Sequence, residues 1–370
     1  LGLPAPLGAP LGGATDAPDA SPPAGARAAA GATPCRLLSF SGGGSWGAFE
    51  AGVLSRLVEL RSAESPGWDV HGLLGVSAGS LNAALLATHA HGSDGLRAGA
   101  DELRALWART HTRDVWTLPG PADRATDDDP FGVPRAFLST RPLAALIART
   151  LGGRALERNL SIGLTSLASG QPVVVDERAL HGWEGVDESV PSDARTHVAA
   201  EPLAAAAGSD GAASPRVRPR LHAHLLASCA IPLLFPPVRV NGSLHVDGGV
   251  ANNVLTYHGL QRYCPDRSVP VELEIIDAMP RARPLTPAES NRLTTLEMAI
   301  RTVQLLASAA TDHQLNARCA QGQASNIVAR VYSPRAALGL PTSLLDFERG
   351  AELWQAGYEE HEVEEFLFCQ

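Results

Sequence analysis

Apolar and polar positions along this chain predict strands that are followed by helices. The apolar run Arg36-Leu-Leu-Ser-Phe40 ends in three glycines and predicts a buried strand with its exit turn. Apolar residues then recur at three- and four-residue steps over residues 46–61, a spacing typical of an amphipathic helix. Residues 70–76 and 81–88 repeat this arrangement. Two strand-to-helix units within about fifty residues indicate a parallel sheet.

Further elements predict one α/β domain without internal repeats. Residues 161–167 and 172–175 flank a polar turn and predict a hairpin. The pair Asn241-Gly242 predicts a second hairpin, because Asn-Gly favours the tight turn that matches strand twist. A strand, a long helix, a strand and a solvated helix face are then expected in this order: residues 271–277, 295–320, 327–332 and 358–365. No apolar stretch reaches about 18 residues, so no transmembrane helix is predicted.

The first 33 residues differ from the rest of the chain. They are mostly Ala, Gly and Pro, with no basic start and no continuous apolar segment, and are expected to form a disordered tether rather than a signal peptide. Residues 34–370 are expected to form the single domain, with surface insertions at residues 119–134 and 191–219. The compartment stays open, with export or membrane association favoured over the cytoplasm.

Composition excludes several classes of function. All 30 basic residues are arginine, which removes Schiff-base chemistry and lysine-dependent phosphate loops. The net charge is −9 and no arginine-rich tract interleaves with aromatic residues, so no nucleic-acid partner is expected. Five scattered cysteines, an odd number without a Cys-x-x-Cys pair, argue against a disulfide framework or a zinc ribbon. The histidine pairs lack a third ligand, so neither a metal nor a cofactor is expected.

Glycine-rich clusters are the candidates for chemistry. The motif Gly-x-Ser-x-Gly occurs at residues 43–47 and 75–79, and the second copy puts Ser77 at a strand-to-helix turn that exposes its hydroxyl and directs a helix N-terminus at it. Residues 245–253 contain Asp247-Gly-Gly, which supplies a carboxylate at the end of a hairpin strand. We therefore expect Ser77 to be a nucleophile with Asp247 as its base, and the glycine loop before the first helix to stabilise an oxyanion.

These clusters, together with the stretch Ala227-Ser-Cys-Ala-Ile-Pro-Leu-Leu-Phe-Pro-Pro237, resemble the patatin-like phospholipase family in order and spacing. The resemblance covers roughly residues 36–332 and implies a three-layer α/β/α fold with a mostly parallel central sheet. It also implies a Ser-Asp dyad without histidine, with Ser77 as nucleophile and Asp247 as its partner. By the same resemblance, the oxyanion loop consists of Gly42, Gly43 and Gly44.

The function implied by this resemblance is lipid acyl hydrolysis. The expected substrates are carboxylic esters of phospholipids or related glycerolipids, cleaved through an acyl-serine intermediate by an enzyme of the phospholipase A or lysophospholipase type. Contact with a lipid interface or a peripheral membrane site is expected as well. The family often has a basic residue where this chain has Trp46, which leaves the headgroup preference open.

Several alternatives stay open at this point. The loop Gly42-Gly-Gly-Ser-Trp-Gly47 also fits the dinucleotide fingerprint, although no acidic residue ends the second strand, so a non-catalytic lipid or dinucleotide binder is one alternative. A second is a Ser-Asp-His triad that uses His258 or His313. A third is that Ser45 and not Ser77 is the reactive serine. The apolar segment at residues 231–237 fits either an acyl-chain groove or core packing.

Overall fold

The computed structural model describes residues 33–120, 136–177, 218–278, 285–316, 318–320, 323–335 and 344–369. The expected tether, apart from its last residue, and most of both expected insertions lie outside the described residues. The strands are β1 (Cys35–Phe40), β2 (Gly72–Val76), β3 (Leu160–Ser166), β4 (Pro172–Glu177), β5 (Val238–Val240), β6 (Ser243–Asp247), β7 (Val271–Ile276), β8 (Ile327–Pro334) and β9 (His361–Leu367).

Helices lie in most of the connections between these strands. They are α1 (Gly47–Glu64), α2 (Ala78–Ala87), α3 (Ser93–Arg109), α4 (Thr112–Val115), α5 (Arg141–Leu151), α6 (Arg218–Ser228), α7 (Thr256–Tyr263), α8 (Pro287–Ser290), α9 (Thr295–Leu315) and α10 (Gly350–Glu359). Short 3-10 turns at Gly44–Trp46 and Gly248–Val250 follow β1 and β6.

One sheet holds all of these strands, in the order β5-β6-β3-β2-β1-β7-β8-β9, with β4 paired to β3. Its five central strands, β3, β2, β1, β7 and β8, run parallel. Strands β4 and β6 pair antiparallel to β3, β9 pairs antiparallel to β8, and β5 pairs antiparallel to β6. The predicted mostly parallel sheet is therefore confirmed for its centre. The predicted hairpins are also present, and both turn residues Asn241 and Gly242 have the positive φ that this tight turn requires.

Helices cover both faces of the sheet, which gives the predicted three layers. In β1, Leu38 and Phe40 face a large core formed mainly with α1, α2, α3, α5, α6 and α10. Leu37, which precedes Leu38, faces a second core, to which Leu260 of α7 and Leu315 of α9 contribute. This alternation follows from the period-two geometry of a strand. All three β1 side chains are fully buried, as is typical of a parallel strand covered on both sides.

The expectation that this chain lacks a disulfide framework is wrong. Disulfides join Cys35 to Cys264 and Cys319 to Cys369, across sequence separations of 229 and 50 residues. The odd cysteine, Cys229, is buried and free. Scattered spacing was misleading because the fold, and not the sequence interval, brings each pair together: the first bridge ties the start of β1 to the end of α7.

The expected helix face at residues 358–365 is also wrong for most of its length. Helix α10 ends at Glu359, and β9 follows as an edge strand antiparallel to β8. Glu364 pairs with Arg318, and Glu365 pairs with Arg330 of β8, so two glutamates of the acidic run are paired with arginines at the sheet edge. Helix α9 ends at Leu315 rather than near residue 320. Within the described residues, no helix has both the length and the apolar character needed to cross a membrane.

Candidate active site

Ser77 lies at a sharp turn between β2 and α2. Its backbone has φ 52° and ψ −128°, a conformation that L-residues other than glycine rarely adopt. The flanking glycines allow the turn: a Cβ at Gly75 would lie 2.5 Å from the Gly79 carbonyl oxygen, and one at Gly79 would lie 2.3 Å from the Ser41 carbonyl oxygen. The motif therefore packs a strained serine against the loop that follows β1.

Neighbouring hydroxyl groups hold the Ser77 backbone in place. Its N–H donates to the Ser228 Oγ at 2.9 Å, and this Oγ donates to the Gly163 carbonyl of β3 at 2.7 Å. The Ser77 carbonyl accepts from both the N–H and the Oγ of Ser80. Ser228 lies in the stretch that carries the family resemblance, but no local pattern predicts its contact with Ser77, because that contact spans 151 residues.

Asp247 ends β6 and faces the same turn. Its N–H donates to the Ala230 carbonyl at 2.9 Å, and its own carbonyl accepts from Thr165 Oγ1 at 2.9 Å. A Cβ at Gly248 would lie 2.5 Å from the Gly163 carbonyl oxygen and 2.9 Å from a methyl group of Val76. The Asp-Gly-Gly turn therefore packs directly on the strand end that leads into Ser77.

The Asp247 carboxyl is buried without a compensating cation in the part of the chain that the structure describes. Oδ1 accepts from the Gly249 N–H at 2.8 Å, whereas Oδ2 has no hydrogen bond of regular geometry among the described residues. Burial raises the pKa of Asp247 to about 7, and the Ser77 hydroxyl and the Gly249 amide oppose that rise. The Ser77 hydroxyl therefore lies near the Asp247 carboxyl, without a hydrogen bond of regular geometry to Oδ2. Such contacts often tighten when substrate binds.

The glycine loop after β1 lies against Ser77. A Cβ at Gly42 would lie 3.0 Å from the Ser77 Cβ, and Gly44, at φ +58°, leaves no room for a side chain beside the Leu344 carbonyl. The Gly42 N–H is already used, because it donates to Asn253 Oδ1 at 2.9 Å. The amides of Gly43 and Gly44 make no hydrogen bond within the described residues. These two amides are the loop's available donors.

An apolar cavity extends from Ser77 between α2, α3 and α5. Its polar lining consists of Ser77, Asn82, Thr110 and Cys229, and the Asn82 amide is committed to Glu50, the Gly47 carbonyl and the Trp107 indole. The apolar lining comprises Ala78, Leu81, Leu106, Trp107, Val115, Leu143, Leu146, Ile231, Phe235, Leu345 and Phe347. Two members of the apolar segment 231–237 therefore line this cavity, while Leu234 is fully buried in the core.

The alternative site residues lie elsewhere. His258 on α7 is bonded through Nε2 to Asp176 at 2.7 Å, and His313 lies on α9; neither lines the cavity. Ser45 is buried in the 3-10 turn that precedes α1, and its N–H donates to the Leu344 carbonyl. The described residues contain no group of three His, Cys, Asp or Glu side chains that could hold a metal ion.

Fold and site together define a class of α/β protein in which a serine on a strained strand-to-helix turn faces a buried carboxylate and an apolar cavity. A family model described as patatin-like phospholipase matches residues 38–258, which is more than half of the chain. The chain therefore belongs to the patatin-like phospholipase family, a family of lipid hydrolases. The resemblance and the fold expected from the sequence are confirmed.

Solved structures give more distant likenesses. VipD from Legionella pneumophila is 14% identical, with 90% of this chain and 68% of VipD covered at a TM-score of 0.37. The ExoU-SpcU complex of Pseudomonas aeruginosa is 13% identical, with 90% and 53% covered at a TM-score of 0.28, and a further ExoU structure is 12% identical, with 90% and 55% covered at the same score. This chain thus spans just over half of the ExoU chains. A sequence comparison with curated proteins gives no match.

Proposed function

We propose that this protein hydrolyses carboxylic esters of phospholipids or related glycerolipids with a Ser77-Asp247 dyad and an acyl-Ser77 intermediate. The observation that carries the proposal is the buried Asp247 carboxyl beside the Ser77 hydroxyl, with Oδ2 left without a regular partner in the described residues. A buried polar atom normally finds a hydrogen-bond partner, and its absence is common where a reacting group must be engaged.

The proposed chemistry moves one proton back and forth at Asp247. Ser77 Oγ attacks the ester carbonyl carbon as its proton passes to the carboxylate. The tetrahedral intermediate then expels the alcohol, which takes this proton and leaves the acyl group on Ser77. Water attacks the acyl-enzyme as its proton passes to Asp247, and collapse of the second tetrahedral intermediate releases the fatty acid as Ser77 Oγ takes that proton back. A carboxyl with a pKa of about 7 can both accept a proton from Ser77 and return it to the leaving alcohol near neutral pH.

The developing oxyanion is assigned to main-chain amides. The amides of Gly43 and Gly44 are without partners in the described residues, and the loop that carries them packs against Ser77. Each donor of this kind is worth on the order of 3 kcal/mol of transition-state stabilisation. The N-terminus of α2, which begins directly after Ser77, adds a favourable field for negative charge.

The cavity supports an acyl chain as the bound part of the substrate. Among the described residues its walls carry no charged side chain, and their aliphatic and aromatic groups suit a hydrocarbon. Trp46, where many family members carry a basic residue, is buried against Phe49 and cannot contact a headgroup phosphate. We therefore propose an enzyme of the phospholipase A or lysophospholipase type whose selectivity arises at the acyl chain.

Exposed apolar side chains on α9 support contact with a lipid surface. Leu305 and Leu306 are about half exposed, as is Met298. An adjoining face of the helix packs through Ala299 and Val303 onto the cavity-wall segment that contains Phe235. Because this face adjoins the wall of the acyl cavity, we propose that it contacts the lipid aggregate from which the substrate is drawn.

The disulfides support a location outside the reducing cytoplasm. Disulfides persist in oxidising compartments and are rare where thiols are kept reduced. The bridges Cys35–Cys264 and Cys319–Cys369 therefore favour export or membrane association.

Fluorophosphonate labelling combined with a lipid panel tests the proposal. An activated serine reacts with the reagent, and peptide mass analysis should locate the adduct on Ser77. The panel should yield free fatty acid from phospholipids or lysophospholipids. A label on Ser45 would contradict the assignment of the two glycine motifs. Neither labelling nor hydrolysis across the panel would favour a lipid-binding protein.

A further inference from the structure

We infer that Asn253 is a positioning residue that holds the glycine loop against Ser77 and ties it to α9. The inference rests on the proposed function. Asn253 is fully buried and follows the Asp-Gly-Gly turn by a few residues. It belongs to neither the cavity lining nor the dyad, so its effect on catalysis passes through the loop.

Both ends of the Asn253 amide are engaged. Oδ1 accepts from the Gly42 N–H at 2.9 Å, and Nδ2 donates to Thr311 Oγ1 at 2.9 Å. The Thr311 hydroxyl in turn donates to the Ala307 carbonyl at 3.0 Å, within α9. One side chain therefore connects the loop after β1 with a helix that lies far away in sequence.

The Asn253 amide also fills the space between the two catalytic turns. A Cβ at Gly42 would lie 2.7 Å from Asn253 Oδ1, and a Cβ at Gly249 would lie 2.8 Å from the same atom. The oxygen is thus wedged between the glycine loop and the turn that carries Asp247. Either turn could move toward this space if the amide were removed.

The bond to Gly42 determines which amides face the reaction. With its N–H committed to Asn253, Gly42 cannot donate to an oxyanion, so this task falls to Gly43 and Gly44. The far end of the loop is held by the Ser45 N–H, which donates to the Leu344 carbonyl. Asn253 is the corresponding anchor at the near end, where the loop touches Ser77.

A positioning role predicts a loss in kcat with little change in KM. Asn253→Leu keeps the number and branching of the side-chain heavy atoms and removes both hydrogen bonds, so kcat on a soluble short-chain ester should fall on the order of 10- to 100-fold. The pH profile should keep its midpoint, because Asp247 itself is untouched. In Asn253→Asp a second carboxyl stands near Asp247, so the midpoint should move to higher pH.

Thr311 supplies a matched pair of variants that does not depend on Asn253 itself. Thr311→Val removes the acceptor for Nδ2 at nearly constant shape and should lower kcat several-fold. Thr311→Ser keeps the hydroxyl and should restore most of that loss. Thermal unfolding of each variant measures the folded fraction to which the rates are normalised.

Two results would overturn the inference: wild-type kcat in folded Asn253→Leu, or equal kcat in Thr311→Val and Thr311→Ser. The second comparison holds even if Asn253→Leu does not fold. Failure of the proposed function looks different, because the wild-type protein would then hydrolyse no ester faster than Ser77→Ala. An active wild type with an unaffected Asn253→Leu variant rejects the positioning role alone.

Discussion

Asp247 and Glu274 are both buried carboxylates on strands of the same sheet, yet their surroundings differ. Glu274 Oε1 accepts from Arg61 and Arg330, each at 3.1 Å, and its Oε2 accepts from the Tyr332 hydroxyl at 2.8 Å. Asp247 has one amide on Oδ1 and no cation in the described part of the chain. The charge of Glu274 is thus balanced by two arginines, whereas burial raises the pKa of Asp247 to about 7.

Under the proposed mechanism, this difference separates a structural charge from a reactive one. The network around Glu274 joins α1, β7 and β8, and breaking a buried pair of this kind leaves an uncompensated charge. At Asp247 burial without compensation raises the pKa to about 7, which makes proton exchange with Ser77 feasible near neutral pH. The fold therefore stabilises the ionised Glu274 and destabilises the ionised Asp247. Such a local conflict with stability is expected at a functional site.

The largest expected difference between Asp247 and Glu274 is in the catalytic activity of their variants. Asp247→Ala and Ser77→Ala should each lower kcat/KM on a soluble ester by about 10⁴-fold or more, because each removes a group that acts in the transition state. Glu274→Gln, corrected for the folded fraction, should stay within about twofold of wild type. Near-normal turnover by Asp247→Ala would reopen the search for the base.

The free energy of unfolding, in contrast, should depend strongly on Glu274. Glu274→Gln leaves the partly exposed Arg61 and Arg330 without a buried counter-charge and should lower the free energy of unfolding by about 3 kcal/mol. Glu272→Gln is the matched control, since Glu272 lies on the same strand and pairs with Arg36 nearer the surface. That change should cost less than about 1 kcal/mol. If urea unfolding gave the same loss of unfolding free energy for Glu274→Gln and Glu272→Gln, the Glu274 network would contribute no more to stability than a surface ion pair.

The pH dependence of stability sharpens the contrast at Asp247. A carboxyl whose pKa is raised on folding destabilises the native state once the unfolded chain ionises, so the penalty grows as pH rises from about 4 to about 7. Asp247→Asn removes this penalty and should stabilise the protein by up to about 4 kcal/mol at pH 8, with little difference at pH 4. Unfolding measured at both pH values checks this, and a pH-independent difference would speak against a neutralised Asp247.

The smallest expected effect concerns the lipid surface. Leu305→Ser combined with Leu306→Ser should lower hydrolysis of phospholipid vesicles by about tenfold, because two exposed apolar groups are removed from the proposed contact face. Turnover of a soluble short-chain ester should not change. Leu60→Ser serves as control, since Leu60 is similarly exposed but lies in the C-terminal part of α1. An equal loss in the control would argue against a specific face.

The parts of the fold that could be predicted from the sequence are those determined by local patterns. The strand and helix on either side of Ser77 follow from apolar spacing and glycines, and the Asn241-Gly242 hairpin follows from turn chemistry. Strand β9 could not be predicted in this way. It is an edge strand whose glutamates point largely to solvent, so no apolar alternation marks it, and its pairing with arginines appears only in the folded chain.

The candidate site shows the same division. Ser77, Asp247 and the glycine loop lie within short recognisable motifs. The supporting contacts of Ser228 and Asn253 span 151 and 211 residues, and the disulfides of Cys35 and Cys319 span 229 and 50 residues. Such partners are chosen by the topology of the sheet, which no local pattern of residue types encodes.

The most direct test of the central claim is the rate of fluorophosphonate labelling of Ser77 from about pH 5 to about pH 8.5. If the Asp247 carboxylate takes the serine proton, the rate should fall about tenfold per pH unit below an apparent pKa near 7. In Asp247→Asn it should be slow and independent of pH. A wild-type rate that stays constant across this range, or an Asp247→Asn variant that labels as fast as wild type, would contradict the account.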